Sequence, residues 1–297
     1  MLKKLHYVAA MLLLAATSCS SDSENSVVTP QTSAPVTVRV DGFTQSLEDF
    51  SGSSHRAAVP VTSYDNVKAI TLAFYDANGV EQCKMEQLRD DNSNYTTFGE
   101  FSCRLPIGSY TLVAIARGLQ PNDVFTLNSP SEAVYGGLTR ETFAGTKAVV
   151  ISSTSAQNLN ISLNRVCARL VIETSDVRPA GIAKIRTTYG QGSKTFSPTT
   201  GFATDNNGFV IVNAPSAAVG STITFGSYVF LTGNTQTMDI TIETLDANDE
   251  VVFSQVVHDV PFKRNRVTRL QGALFSTSVA SAIQVETAWE QDEVIPF

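Results

Sequence analysis

The sequence is short of the residues from which most catalytic and metal centres are made. Histidine occurs three times in 297 residues, and only His55 and His258 follow the first eighteen, in unrelated contexts. Neither belongs to a His pair at helical spacing, and there is no CxxC or Cys/His cluster, so a zinc site and a metal-dependent hydrolase are not expected. A serine-hydrolase nucleophile turn and a Gly-rich loop ahead of a helix are also missing. A basic excess is lacking too: 21 Lys and Arg stand against 28 Asp and Glu, for a net charge of -7. Nucleic acid, which is held by clustered cations, is therefore not a partner. One Trp and eight Tyr leave few platforms for stacking sugars. The acidic turns at 90–94 (DDNSN), 205–208 (DNNG) and 246–249 (DAND) lack the distal Glu of a calcium loop, and Asp and Asn favour turns for their own backbone hydrogen bonding. The remaining enzymatic route, two carboxylates brought together by the fold, leaves no trace in sequence. The chain is expected to be a non-enzyme, with no cofactor and no metal.

What is present begins with Lys3 and Lys4, followed by an apolar run from Val8 to Ala16 and small residues up to Cys19. The run is about half the ~20 residues of a membrane-spanning helix, and a polar tract follows it. Residues 1–18 are expected to be a signal peptide. An ordinary secretory signal needs only small residues at its end. A cysteine at the first mature position resembles the lipobox of bacterial lipoproteins, which makes Cys19 the candidate lipid anchor. Asp22 and Glu24 just beyond it resemble a surface-export signal of such lipoproteins. Removing Lys3 and Lys4 would take the charge from -7 to -9. Residues 19–34 are small and polar and are expected to form a flexible tether.

From residue 35 onward the pattern is period-two, with β-branched and aromatic residues in short runs separated by Gly, Asn, Asp and Pro. Helical periodicity is scarce. PVTVRV reads as a first strand over Val36–Val40, and KAITLAFY as a buried one ending in the turn DANG. Such spacing predicts an all-β chain of antiparallel Greek-key sandwiches. ITLAFYDANGVE at 70–81 is echoed by ITIETLDANDEV at 240–251, as two related domains in tandem would leave behind. The boundary falls near Asn164, giving domains 35–164 and 165–297. The stretch from Gly118 to Lys147 reads as long loops with at most short helices. Three cysteines remain after Cys19, and they cannot all pair: Cys83 and Cys103 lie in candidate neighbouring strands and are either a disulfide or two reduced core thiols, while Cys167 reads as core.

Three stretches taken together, RAAVPV, LPIGSYTLVAIARG and VPFKRNRVTRLQGALF, resemble Bacteroidales fimbrillins, the lipoprotein-derived subunits of type V pili. The resemblance implies two transthyretin-like sandwiches and a lipidated precursor at the outer membrane. It further implies cleavage after an Arg beyond the first strand, and polymerisation as the freed groove takes a terminal strand of a neighbour. On this sequence the cut would fall between Arg56 and Ala57, although Arg56 can also be an ordinary loop residue. The donor would be AIQVETAWE, with Ile283, Val285, Thr287 and Trp289 on one face, although the same segment can complete its own domain. The implied partners are other fimbrial subunits, the outer membrane through lipid on Cys19, and host or bacterial surface ligands. The competing reading is a monomeric glycan-binding lipoprotein of a polysaccharide uptake system. In VPFKRNRVTRLQG, Lys263, Arg264, Arg266 and Arg269 form a basic cluster that reads as a hairpin or loop turn and a strand with one wet face, able to meet an acidic surface.

Overall fold

The computed structural model describes residues 32–48, 54–59, 61–89, 97–275 and 284–286. Cys19, the tether up to Gln31, and the side chains expected at Ile283, Thr287 and Trp289 lie outside the described residues.

The period-two runs become strands throughout, and no α-helix occurs among the described residues. In chain order they are β1 (Ser33–Glu48), β2 (Ser54–Val59), β3 (Ala69–Asp76), β4 (Glu81–Leu88), β5 (Glu100–Pro106), β6 (Gly108–Arg117), β7 (Phe125–Ser129), β8 (Glu132–Tyr135), β9 (Thr142–Ile151) and β10 (Gln157–Arg165). There follow β11 (Ala168–Thr174), β12 (Lys184–Tyr189), β13 (Thr195–Phe196), β14 (Phe209–Asn213), β15 (Thr224–Val229), β16 (Thr235–Leu245), β17 (Val251–Lys263), β18 (Val267–Gly272) and β19 (Gln284–Glu286).

The first sheet runs β2-β1-β10-β9-β6-β3-β4, with β5 also paired to β1. Two four-stranded sheets, β15-β11-β18-β19 and β14-β12-β16-β17, make up the second half. A small sheet β13-β8-β7 takes one strand from the second half and two from the first. Contacts join residues from Thr32 onward into one unit.

The alternation explains the cores. Val36 and Val38 of β1, Leu72 and Phe74 of β3, Leu112 of β6 and Leu163 of β10 meet in one cluster. Leu170 and Ile172 of β11, Ile240 and Ile242 of β16 and Leu270 of β18 meet in a second. β3 and β6 are buried on both faces: their other side chains, Tyr75, Val113 and Ile115, enter a third cluster with Tyr135, Cys167, Phe196 and Phe230. That third cluster draws on both halves. Phe196 stacks on Phe230 at 4.3 Å, and the Tyr135 hydroxyl bonds the Thr142 hydroxyl at 2.7 Å.

The echoed segments fold alike. Asp76 Oδ1 accepts the amides of Asn78 and Val80 at 2.9 and 3.0 Å and turns β3 into β4. Asp246 Oδ1 accepts those of Asn248 and Glu250 at 2.8 and 2.9 Å and turns β16 into β17. Gly79 closes the first turn at φ 77°, while Asp249 stands in the same left-handed region at 68°.

Three expectations need correction. The sheets are not wholly antiparallel: β1 pairs parallel with β10, and β11 with β18. Parallel neighbours need a long crossover, which the intervening strands supply in both cases. Residues 118–147 are not chiefly loop, since FTLNS and EAVY form the β7-β8 hairpin and β9 begins at Thr142. The first strand does not end at Val40 but continues to Glu48 past an irregularity between Val40 and Gly42. Arg56 and Ala57 therefore sit on β2, paired with Ser46 and Gln45, and not in a loop.

Candidate functional site

The first strand is built into its half more deeply than a terminal strand need be. On one edge β1 faces β10, with Val36 opposite Gln157 and Thr44 opposite Asn164. On the other it faces β5 over Ser33–Arg39 and β2 over Phe43–Glu48. Ala34, Val36, Val38 and Val40 are at most 5% exposed. Burying a valine is worth about 1.5–3 kcal/mol, so these side chains help hold the first core together. β2, which carries Arg56 and Ala57, ends that sheet's path and among the described residues is held by one ladder. An outer strand opens locally at lower cost than a central one.

At the carboxy-terminal end, Val285 lies on β19, which pairs antiparallel with β18 through Glu286–Arg269, Val285–Leu270 and Gln284–Gln271. This short piece of the expected donor strand thus adds to its own sheet.

Cys83 on β4 and Cys103 on β5 come together although their strands are not laddered. β4 ends the first sheet's path and β5 pairs β1 off that path, and both thiols pack against the first core. They are unbonded thiols that share a hydrogen bond, which lowers Cys83 to about 7 and raises Cys103. Cys167 is fully buried in the third cluster, and burial pushes its thiol up to about 12.

Where the halves meet, Arg165 ties four groups into one network. Its guanidinium donates to Glu141 at 2.7 Å, to Asn265 Oδ1 at 2.6 Å and to the Tyr64 hydroxyl at 3.0 Å, while that hydroxyl donates to Glu141 at 2.6 Å. Burial, and then the Glu141 charge, raise the Tyr64 hydroxyl to about 12. Arg165 also lines a cleft of about 540 Å³ between residues 144–146 and 162–166 on one side and 198–201, Asn234 and 263–266 on the other. Lys263, Arg264 and Arg266 border it from the β17-β18 turn. Arg264 lies 4.6 Å over the Phe202 ring, and its partial burial disfavours the charged form. Of the hairpin or loop turn that its residues suggest, the basic cluster is the second: it carries the chain from β17 in one sheet to β18 in another. What the sequence does not announce is the cleft it borders, assembled from five segments spread along the chain.

His258 bonds Asp239 at 2.9 Å on an exposed edge. No group of three or more His, Cys, Asp or Glu placed to hold a metal ion occurs among the described residues.

Residues 122–296 match the profile of a family of unknown function, DUF6562. No curated protein matches the chain by sequence. Among solved structures, a candidate adhesin from Bacteroides ovatus superposes with a TM-score of 0.51 at 12% identity, covering 89% of this chain and 96% of the other. The fimbrial anchor protein Mfa2 from Porphyromonas gingivalis has a TM-score of 0.48 at 10% identity, covering 86% and 98%. Candidate polysaccharide-binding proteins from Bacteroides thetaiotaomicron have a TM-score of 0.48 at 11% identity, covering 88% and 99%. At such identity the likeness to the Bacteroides ovatus protein is one of fold.

Proposed function

The chain belongs to this family of unknown function, DUF6562, and we propose that it is a non-enzymatic surface protein of the adhesin and fimbrial type. In this reading, two transthyretin-like Greek-key sandwiches, 35–164 and 165–297, follow a signal peptide and tether. Lipid on Cys19 anchors the precursor in the outer membrane, facing outward. Cleavage after Arg56 then frees β1, and an extended terminal strand of another subunit fills the groove left between β10 and β5, with its alternate side chains in the pockets of Val36, Val38 and Val40.

The observation that carries the reading is the seat of β1. It is the first described strand, yet it lies in the core between two ladders, with the candidate cut on the outermost strand of its sheet. The adhesin fold agrees with it. Once the protein is outside the reducing interior, Cys83 and Cys103 close the half from which the strand leaves: an exported disulfide donor accepts the two electrons, and both thiol protons depart.

The test is the intact mass of protein extracted from the cell surface, together with its mobility on denaturing gels. The expected result is a chain beginning at Ala57, with no acyl mass and two hydrogens fewer than the reduced form, running as a ladder that deletion of residues 282–297 abolishes. A monomer that retains acylated Cys19 and β1 and binds a neutral oligosaccharide overturns the assembly reading in favour of a glycan-binding lipoprotein.

A further inference from the structure

Arg264 stands in the wall of the 540 Å³ cleft with most of its hydrogen-bond donors unused. Among the described residues its guanidinium makes no ion pair and one hydrogen bond, a long one of 3.4 Å from Nη1 to the Thr200 carbonyl. The turn SPTTGF at 197–202 sets this up. Gly201 N donates to Ser197 O at 2.7 Å and Ser197 N to Phe202 O at 2.8 Å, with Gly201 in the left-handed region at φ 71°. A Cβ at Gly201 would lie 3.1 Å from Arg264 Nη1, so the glycine leaves the guanidinium its seat over the Phe202 ring, 4.6 Å away. From the other side the Arg264 amide donates to Asn234 O at 2.8 Å. A guanidinium steadied on a ring is a pre-organised fork, and the group that fits both tines is a carboxylate. The protein supplies none at this place, since no Asp or Glu is among the described residues that line the cleft.

Arg165, Lys263 and Arg266 also border the cleft, but each is engaged within the chain. That leaves Arg264 as the anchoring cation. Around it the walls are hydroxyls and amides. Thr146 of β9 and Ser162 and Asn164 of β10 line one side and Asn234 the other, and their side chains have no partner among the described residues. Ser162 and Asn164 are two places apart on one strand, so they point from the same face. Each hydroxyl or amide both donates and accepts, as the hydroxyls of a sugar require. Ala144, Val166 and Pro198 are the apolar side chains among the lining residues, too few for the pockets on which peptide recognition depends. The volume falls within the ~300–1,000 Å³ usual for small-ligand sites.

We propose that this cleft is a binding site for an acidic sugar. The carboxylate of a uronate unit takes the Arg264 fork, and the ring hydroxyls are read by Asn164, Asn234, Ser162 and Thr146. The site draws on both halves of a single chain and stands whether or not subunits assemble.

The full chain is titrated calorimetrically with short oligosaccharides of galacturonate, glucuronate and mannuronate, and with the methyl ester of whichever binds. At least one should bind with a Kd below about 1 mM. Esterification, which removes the charge and one bond of the fork, should weaken it about tenfold or more. Arg264→Lys keeps the charge but loses the fork, and should weaken binding about five- to tenfold. Asn234→Ala alters an exposed side chain. It should weaken binding about two- to tenfold and leave the urea midpoint unchanged. Should Arg264→Lys fail to fold, the ester and Asn234→Ala decide.

Failure of every uronate to bind at about 10 mM overturns the proposal. So does equal binding of acid and ester, which assigns the cleft to a neutral glycan. Inorganic phosphate that competes as well as the uronate overturns it in favour of an unselective anion site. Binding that survives both Arg264→Lys and Asn234→Ala places the sugar elsewhere. Ladder formation and the mass of the surface form are read separately, so either proposal can fail alone.

Discussion

The two halves close in the same way and end differently. In each, the first strand pairs parallel with the last long one, β1 with β10 and β11 with β18, and in each an Asp-Ala-Asn turn joins an inner strand to an outer one. The difference lies at the edges. β1 has both edges occupied over most of its length, whereas among the described residues β18 meets β19 through three residue pairs. A terminal segment can therefore be deeply held or lightly held by the same plan, depending on whether its side chains reach a core.

The sharpest way to break this contrast is Val38→Asp. Val38 is fully buried on β1, and an unpaired carboxylate there should cost more than about 4 kcal/mol. Removal of residues 284–297 should cost about 1–2 kcal/mol, the value of a few hydrogen bonds. Urea midpoints of the two variants check this, and equal losses would end the distinction. Glu141→Gln comes next. It takes the Glu141 charge from the half-buried Arg165 at the place where Asn265 of the second half joins Tyr64 and Glu141 of the first. The expected cost is about 3 kcal/mol. A single cooperative transition should split in two if this network couples the halves, and calorimetry reads the split.

Alkaline pH tests the same junction more gently. Burial first, and then a neighbouring carboxylate, raise Tyr64 and Tyr75 from 10.0 to about 12. A raised folded value means that the native state keeps its proton longer than the unfolded chain. Stability from these groups is complete below pH 10 and is lost as the pH climbs from 10 toward 12. Tyr64→Phe should flatten part of that decline. The smallest effect is expected at the echoed turns. Gly79→Asp should cost about 1 kcal/mol or less, because Asp249 already holds a left-handed backbone at the matching place. A larger loss would mean that the two turns are alike only in outline.

Much of the fold was legible because period-two burial is local. The echo of DANG and DAND marks two equivalent hairpins, and the alternation of Val36, Val38 and Val40 marks the core face of β1. The parallel ladders were not legible, since nothing within β1 or β11 says which distant strand will lie beside it. Residues 118–147 read as loop because Pro130 and the paired glycines at 136 and 137 mask short strands. For the candidate site, the basic character of residues 263–266 was visible, but the cleft depends on residues 144–146, 162–166 and 198–201, which carry no sequence signal of their own. Neither did Tyr64 and Glu141, whose importance arises only from their meeting with Arg165.

The parallel closure also decides how the molecule would carry a load. Tension entering at the start of β1 and leaving at the end of β10 pulls two parallel neighbours in opposite directions along their length, so the ladder from Val36 to Asn164 is sheared as a block and not peeled pair by pair. Only Val166 and Cys167 separate β10 from β11, so the same tension passes at once into a second ladder of the same geometry, β11 against β18. Each half is thus a mechanical link of the strong kind, and the two stand in series.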